Sequence, residues 1–295
     1  MPSTTSSHTL NAAHSEERAK FWRDPALNNL EMLRATYVTH TFSRHTHEGY
    51  AIGVIEAGVE EFTYQGAAHS APAGSVVIIH PGEVHTGNAG TPAGWTYRML
   101  YPEVTLVQKA TSELVGQRQM QLPYFPNPVI QDRQLADQLR QLHIAMEKST
   151  SPLERESRFL WTLAQMVMRY TDDRPYLAPV GQEHSVVQRI QDYLRANYAD
   201  TISLEQLAYI ANLKPLRLLR VFRKEVGLPP HAYLVQVRVT RAKVLLSMAV
   251  PIAQVAADTG FTDQSHLTRH FKRLVGVTPR QYALGCCKNV QDLLL

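Results

Sequence analysis

Residues 252–282, IAQVAADTGFTDQSHLTRHFKRLVGVTPRQY, have the pattern of a short helix, a tight turn and a second helix. An apolar stripe starts at Ile252, Gly260 suits the end of the first helix, and Asp263 can cap a second helix that runs through Leu274. Two helices joined at a sharp angle by such a turn are typical of the helix-turn-helix, whose second helix enters the major groove of DNA. The segment therefore predicts a helix-turn-helix unit.

A related pattern occurs earlier in the chain. LEQLAYIANL (204–213) aligns with IAQVAADTGF (252–261) at an offset of 48, and LLRVFRKEVGLPPHAY (218–233) aligns with LTRHFKRLVGVTPRQY (267–282) at an offset of 49. The internal repeat predicts a second helix-turn-helix unit of the same kind.

The sequence also predicts the helix boundaries of this first helix-turn-helix unit and the structure of the segment between the two units. Ser203 and Gln206 form a capping-box signature, Pro215 suits the first turn of the unit's second helix, and Gly227 suits its end. Residues 231–248 form an uninterrupted helical pattern, about 27 Å long at roughly 1.5 Å per residue. A stiff connector of that length can hold two recognition helices in successive major grooves, which are about 34 Å apart.

The basic residues are concentrated in the half that carries the repeat. The 295-residue chain has 30 Lys+Arg and 26 Asp+Glu, a net charge of +4. Residues 183–295 have 15 Lys+Arg and 8 Asp+Glu, a net +7, whereas residues 1–182 have 15 and 18, a net −3. A basic module joined to a mildly acidic one is typical of proteins that bind a polyanion.

Cysteine content and hydropathy indicate the compartment. The two cysteines, Cys286 and Cys287, are adjacent, which is a poor geometry for a structural disulfide. No stretch approaches the roughly 20 apolar residues that a membrane span needs, and the N-terminal residues lack a signal-peptide pattern. We therefore expect a cytoplasmic protein without a membrane partner.

Residues 184–284 resemble the AraC/XylS family of transcription regulators, most specifically in the 252–282 segment quoted above. The other residues that carry the resemblance are Ala208, Leu218, Arg220, Phe222, Gly227, Arg241, Ala242, Leu245 and Leu246. The resemblance implies a bipartite DNA-binding domain with base contacts from both recognition helices. The implied base-contacting residues are Leu216, Leu219 and Arg220 in the first helix and Gln264, Ser265, His266 and Arg269 in the second.

The chemistry of these residues differs between the two helices. Arginine, as at Arg220 and Arg269, can bond guanine bidentately, and Gln264 suits adenine. Leu216 and Leu219 are apolar, so they can contact thymine methyl groups or simply pack against the protein. Phosphate contacts are expected from flanking basic residues, namely Arg217, Arg223, Lys224, Lys272 and Arg273.

The N-terminal half has short β-branched and aromatic runs separated by Gly and Pro, which suggest a barrel or sandwich. These runs are LRATYVT, YAIGVIEAG, VEEFTYQG, SVVIIHPG and TYRMLYPEV. The stretch HTHEGYAIGVIEAG…PAGSVVIIHPGEVHTGN resembles a cupin barrel of the kind found as the sensory domain in the same family. That resemblance covers residues 28–105.

Three histidines of this region can converge. His45 and His47 are two residues apart on an expected strand and so share a face, and His85 can approach from another strand. A metal-binding cupin usually has a glutamate shortly after the paired histidines, but Ile52 occupies that position and Glu56 lies too far along. The sequence therefore favours a barrel without a metal, in which no cofactor is expected.

The barrel is expected instead to hold a small molecule between apolar walls and a few polar groups. The candidate lining residues are His45, His47, Tyr50, Tyr64, His85, Trp95 and Arg98. Arg98 suits a carboxylate ligand. Glu48, Glu60 and Glu61 are expected to be solvated.

Residues 132–170 predict two amphipathic helices, with apolar stripes that include Leu139 in one and Leu163 in the other. In the resembled family a helix at this position often mediates dimerisation, so a second copy of the chain is among the expected partners.

The sequence predicts an α+β two-domain protein: an N-terminal cupin-like β-barrel with following helices, and a C-terminal all-α domain with two helix-turn-helix motifs joined by a linker helix. The predicted regions are an N-terminal extension (1–27), the cupin-like effector-binding domain with a helical dimerisation segment (28–170), a linker (171–182), the paired helix-turn-helix domain (183–285) and a tail (286–295).

The predicted function is that of a one-component, sequence-specific DNA-binding transcription regulator, an activator by family resemblance, controlled by a small molecule in the cupin domain. Expected partners are double-stranded promoter DNA, RNA polymerase and the effector; no catalytic residue is expected. Two alternatives stay open: a metal-dependent cupin enzyme with a nucleic-acid-binding domain, and a DNA-binding protein that is insensitive to ligand.

Overall fold

The computed structural model describes residues 17–115, 122–172, 183–275 and 277–284. The chain divides into two compact units: the first runs to Leu106 and includes Tyr124–His143, and the second comprises Val107–Pro123 and everything from Ile144 onward. Most of the predicted linker, the predicted tail with its two cysteines, and the first 16 residues of the predicted N-terminal extension lie outside the described residues. Among the described residues, no helix has the length and apolar character needed to cross a bilayer.

The first unit is built on antiparallel strands. They are β1 (Arg18–Asp24), β2 (Leu30–Tyr37), β3 (Phe42–His45), β4 (Ala51–Tyr64), β5 (Ala67–Pro72), β6 (Val76–Ile79), β7 (His85–Ala89), β8 (Trp95–Tyr101) and β9 (Val129–Ile130). One sheet has the order β1-β2-β8-β4-β6-β9, and in the other β4 pairs with β5 and β7, and β7 pairs with β3. The long strand β4 belongs to both sheets, which enclose an apolar core containing Ile55, Phe62 and Trp95.

A β-bulge in the middle of β4 decides which of its side chains face that core. Ile55 pairs with Tyr97 and Ala57 with Thr96, so two residues of β4 stand opposite one residue of β8. An extra residue reverses the inside-outside alternation of a strand. Gly58 follows with a φ of 73°, and a Cβ there would lie 2.0 Å from the carbonyl oxygen of Gly94. Only glycine fits this close approach.

Two expectations from the sequence are wrong in the region of β4. The runs 50–58 and 59–66, expected as separate strands, are largely one strand, Ala51–Tyr64. Glu60, expected to be solvated, is buried. The structure also has a strand, β1, within residues 1–27; it pairs with β2 from Arg18↔Thr36 to Asp24↔Leu30.

The helices are α1 (Val104–Val115), α2 (Arg133–Lys148), α3 (Pro152–Tyr170), α4 (His184–Ala196), α5 (Leu204–Ala211), α6 (Pro215–Val226), α7 (Pro230–Ser247), α8 (Ile252–Asp258) and α9 (Gln264–Val275). The two amphipathic helices expected in 132–170 are α2 and α3. Ser151 caps α3 by accepting a hydrogen bond from the Glu154 amide, and Pro152 occupies its first turn.

Both helix-turn-helix units have the caps expected from the sequence. In α5–α6, Ser203 accepts a hydrogen bond from the Gln206 amide at 3.1 Å, and Gly227 ends α6 with a φ of 77°. In α8–α9, Asp263 accepts a hydrogen bond from the His266 amide at 2.7 Å. These local signals position both recognition helices, α6 and α9.

The connector α7 packs against both helix-turn-helix units. Its inner face contacts Val255, Phe261, Leu267 and Phe271 in the core of the second helix-turn-helix unit, α8–α9. The buried guanidinium of Arg238 donates hydrogen bonds to the carbonyl oxygens of Tyr198, at 2.7 Å, and Asp200, at 2.9 Å, in the loop before α5. The expected stiff connector is therefore present, and Arg238 braces it in a way that the sequence pattern did not reveal.

Candidate DNA-binding surface and ligand cavity

One face of α9 forms a shallow, open surface made of polar and basic side chains. It is lined by Gln264, Ser265, Thr268, Arg269, Lys272 and Arg273. These residues recur at helical spacing, and the opposite face of the helix is anchored by the fully buried Leu267 and Phe271. The arrangement presents an amide, hydroxyls and guanidinium groups outward, as a recognition helix requires.

Five of the six DNA contacts predicted on α9 lie on this surface, and one does not. The five are Gln264, Ser265, Arg269, Lys272 and Arg273; they share the surface with Thr268, which the sequence prediction missed. His266 is directed elsewhere: its ring packs against Phe261 and His270, with ring centroids 5.3 Å and 4.8 Å away. The pKa of the His266 imidazole is lowered, mainly because the ring is partly buried. In this conformation the half-buried His266 ring therefore packs against its neighbours and does not line the polar surface of α9.

The first recognition helix differs sharply from the second. Leu216 and Leu219 are only 2% and 3% exposed, so they pack inside the protein in this conformation and do not present a surface to DNA. Of the two alternatives left open by their apolar character, the structure supports packing. Arg220 is half-buried, and Arg217 is exposed but forms an ion pair with Glu183 at 2.6 Å. Lys224 is exposed.

Helix α3 packs against α5, α6 and α7. The guanidinium of Arg223, at the end of α6, lies 4.9 Å from the ring centroid of Trp161 in α3. Arg223 shares a face of α6 with Leu216 and Leu219, because the three recur at i, i+3 and i+7. At the start of α3, the Leu153 amide donates to the Ile202 carbonyl, and the Glu156 carboxylate accepts from the Leu204 amide at 2.7 Å.

A partly open cavity, with about 70 Å³ of space for water-sized molecules, lies between the two β-sheets. It has room for a few water molecules or for a small ligand. Its walls combine apolar side chains, among them Phe42, Phe62 and Met99, with polar groups. The polar lining residues are His45, His47, Glu60, His85, Thr86, Tyr97 and Tyr101.

Three of the seven predicted lining residues, His45, His47 and His85, surround this cavity, and the other four do not line it. Tyr64 and Trp95 belong to the apolar core between the sheets. Tyr50 is fully buried beside His80 and Phe125. These three aromatic side chains pack inside the protein and do not line the cavity.

Arg98 is the clearest correction. Its Nε lies 2.8 Å from Oε1 of Glu56, and its Nη1 lies 3.2 Å from Nδ1 of His143 in α2. Burial acts to raise the pKa of the Glu56 carboxyl, but the guanidinium groups of Arg98, Arg140 and Arg34 outweigh it and lower that pKa. Arg98 therefore serves a structural ion pair, and the reason for expecting a carboxylate ligand is removed.

Burial and neighbouring charges shift the ionisation of the cavity's side chains. The pKa of His47 falls to about 4 because the ring is partly buried and lies beside His85 and His45. Burial also lowers the pKa of His85. The carboxyl of Glu60 has its pKa raised to about 7 by burial. At neutral pH the cavity thus presents neutral imidazoles at His47 and His85, and a Glu60 carboxyl that is protonated in a substantial fraction of the molecules.

Comparison with known proteins finds a family match for each of the two regions. Residues 27–163 match the family model described as the AraC-like ligand binding domain, and residues 207–284 match a helix-turn-helix domain. The uncharacterized HTH-type transcriptional regulator YbfI of Bacillus subtilis (strain 168) is 31% identical over 244 residues, which are 83% of this chain and 87% of that protein.

Two further relatives are informative. The arabinose operon regulatory protein of Escherichia coli (strain K12) is 35% identical over 107 residues, 36% of each chain. The HTH-type transcriptional activator RhaS of Enterobacter sp. (strain 638) is 22% identical over 254 residues, 85% of this chain and 90% of that protein. From the two matched domains and the full-length similarity, the chain belongs to the AraC family of transcriptional regulators, combining a ligand-binding domain with a helix-turn-helix DNA-binding domain.

Proposed function

We propose that this regulator contacts promoter bases through the exposed face of α9 and responds to a small molecule held in the cavity lined by His45, His47 and His85. The observation that carries the first part is the polar surface from Gln264 to Arg273. The second part is supported by a cavity whose walls are apolar and whose few polar groups converge.

The side chains on α9 suit distinct contacts. Arg269 can bond guanine O6 and N7, and Gln264 can bond adenine N6 and N7. Ser265 and Thr268 are short and accommodate either type of base edge. Lys272 and Arg273, one turn further along, are suited to phosphates, which position the protein without selecting a sequence. In the first helix-turn-helix unit, α5–α6, Arg220 remains the residue suited to a base, and Lys224 and Arg217 are suited to phosphates.

Helix α3 is the element that we propose couples ligand to DNA. Part of α3 falls within the match to the ligand-binding family, yet the helix packs against the helix-turn-helix unit and stacks on Arg223. A ligand changes DNA affinity only if it binds one conformation better than another. We propose that the conformation described above, with Leu216 and Leu219 buried, is the less active one and that effector binding releases α6 from α3.

Replacing Trp161 with alanine tests this coupling. The variant removes a cation–π contact of roughly 0.5–2 kcal/mol, so we expect DNA affinity without effector to rise about 2- to 30-fold. Fluorescence anisotropy with the full chain would measure it. Tyr209→Ala, an exposed aromatic residue on α5, is the control and should leave affinity unchanged. Unchanged or weaker binding by Trp161→Ala would contradict the coupling role.

Activation of transcription through contact with RNA polymerase is part of the proposal, supported by the full-length similarity to a protein named as an activator. We also propose that the protein works in the cytoplasm and that two copies associate through the α2–α3 segment, as the family resemblance suggests. A transcription reporter and sedimentation of the purified chain would test the sign of regulation and the dimer.

The effector site is tested by thermal-shift screening of the full chain with small molecules, followed by DNA titration with every compound that stabilises it. We expect a compound that raises the melting temperature and changes DNA affinity. Phe42→Ala, which alters the cavity wall, should weaken its effect, whereas Phe21→Ala, on the exposed strand β1, should not. A stabilising compound whose effect is the same in both variants would argue against this cavity.

A further inference from the structure

We propose that His45, His47 and His85 bind one divalent first-row transition-metal ion, with an open coordination position directed into the cavity. The proposal concerns a site for which the sequence alone favoured no metal, because the expected glutamate is replaced by Ile52. It rests on the convergence of the three imidazoles and on the hydrogen bonds that orient two of them.

The three histidines reach one place from different parts of the chain. His45 ends β3, His47 follows in the next loop, and His85 begins β7 directly opposite His45 in the strand register. The ring centroids are 4.2 Å apart for His45 and His85, 5.0 Å for His45 and His47, and 5.1 Å for His47 and His85. One ligand nitrogen from each residue lies within 4.8 Å of the other two.

Only a small adjustment converts this cluster into a coordination site. Zinc–nitrogen bonds are about 2.0–2.1 Å long, so nitrogens around a tetrahedral ion are about 3.4 Å apart. The imidazoles would have to approach one another by roughly 1 Å, which side-chain rotation can supply. No change in the pairing of β3 with β7 is needed.

Backbone carbonyls orient two of the rings as metal ligands are usually oriented. Nδ1 of His45 lies 2.8 Å from the Ser43 carbonyl oxygen, and Nδ1 of His85 lies 3.1 Å from the Glu83 carbonyl oxygen. A carbonyl can only accept, so each Nδ1 carries the proton and each Nε2 keeps its lone pair. Such outer hydrogen bonds fix the tautomer and ring orientation at metal sites.

The donor set defines the class of ion. Three neutral imidazoles suit zinc, iron, cobalt, nickel or copper, whereas magnesium and calcium prefer oxygen ligands. Among the nearby carboxylates, Glu56 is committed to Arg98 and does not line the cavity. A three-histidine site leaves at least one coordination position open.

The open coordination position indicates which chemical class of effector would bind there. Glu60, Tyr97 and Tyr101 line the same cavity as the histidines. A small molecule bound there would give an oxygen or nitrogen donor to the metal and place its remaining polar groups near these side chains. This second step rests on the proposed effector site, whereas the metal site itself does not.

The test uses the untagged full chain, stripped with a chelator and titrated with Co²⁺ while visible absorption is recorded. We expect one equivalent to bind with the absorption bands of a low-coordinate cobalt–imidazole site. His47→Ala and His45→Ala should each weaken binding at least tenfold, and elemental analysis after Zn²⁺ loading should give one ion per chain for the wild type. His69→Ala, on β5 of the same unit, should bind as the wild type does.

Circular dichroism of each variant would verify that it is folded, and a Zn²⁺-dependent rise in melting temperature that a chelator reverses provides a second readout. Wild-type binding no tighter than that of His47→Ala, or a stoichiometry near zero, would overturn the site. Metal binding without any small-molecule binding would leave the site intact and refute its role in effector recognition. Small-molecule binding by a chain that takes up no metal would overturn the metal site alone.

Discussion

Replacing Arg269 with alanine is expected to cost roughly 1–3 kcal/mol of DNA-binding free energy, about a 5- to 150-fold loss of affinity, and to relax selectivity at one base pair. Arg269 is exposed on the face of α9 that also carries Gln264 and Thr268. Its guanidinium is the group on this face best suited to two parallel hydrogen bonds with guanine. Titration of the preferred duplex and its single-base variants would measure both effects.

Two companion variants separate base contacts from general electrostatics. Lys272→Ala should weaken binding to all duplexes similarly and reduce the salt slope by about 1, because a phosphate contact carries no sequence information. Arg195→Ala removes the same side chain type from α4, where it pairs with Asp192. It should change affinity little. Equal losses for Arg269→Ala and Arg195→Ala would refute a base contact by Arg269.

Replacing Glu56 with glutamine is expected to lower the free energy of unfolding of the ligand-binding domain by about 3–5 kcal/mol. The substitution leaves the guanidinium of Arg98, which is 5% exposed, without its charged partner. Urea unfolding followed by circular dichroism would measure the change. Glu61→Gln, an exposed residue on the same strand, should alter stability by less than about 0.5 kcal/mol.

The same ion pair predicts a pH dependence. The folded-state pKa of Glu56 lies below its ordinary value, so the pair's contribution is present above the unfolded-state pKa and is lost as pH falls through the lowered folded-state pKa. The wild type should therefore lose stability on acidification below about pH 4.5 more steeply than Glu56→Gln does. Identical acid profiles would show that Glu56 does not stabilise the fold through its charge.

The helical half could be predicted closely because its signals are local. Ser203, Pro215, Gly227 and Asp263 act within one turn of their own helices, and each has the role that the sequence indicated. The polar face of α9 could also be predicted, since helical periodicity alone separates it from Leu267 and Phe271.

The sites in the barrel could be predicted only in part, because they depend on contacts between distant strands. His45, His47 and His85 do meet, but His47 lies in the loop after β3 and not on the strand, and His85 reaches His45 through the pairing of β3 with β7. The burial of Glu60 was missed because the bulge near Gly58 reverses the facing of β4, and in the sequence only Gly58 indicated an irregularity there. Arg98 was misassigned because its partner Glu56 is more than 40 residues away in sequence.

Leu216 and Leu219 show the same limit in the DNA-binding half. Their positions on α6 match those of base-contacting residues in the family, but the sequence of α6 cannot show that another element covers them. Their burial, together with the stacking of Arg223 on Trp161, is a tertiary property. It also distinguishes the two recognition helices: α6 buries Leu216 and Leu219, whereas α9 presents a polar and basic face.

The central claim is that this chain binds specific DNA through a basic, repeat-bearing half whose α9 face contacts bases. The most direct test is to select duplexes from a random pool with the full chain and then titrate the selected and scrambled sequences at several salt concentrations. We predict that the selected site binds at least about 10³-fold more tightly than scrambled DNA and that affinity falls steeply with salt. Equal affinity for both duplexes, or binding that does not depend on salt, would contradict the claim.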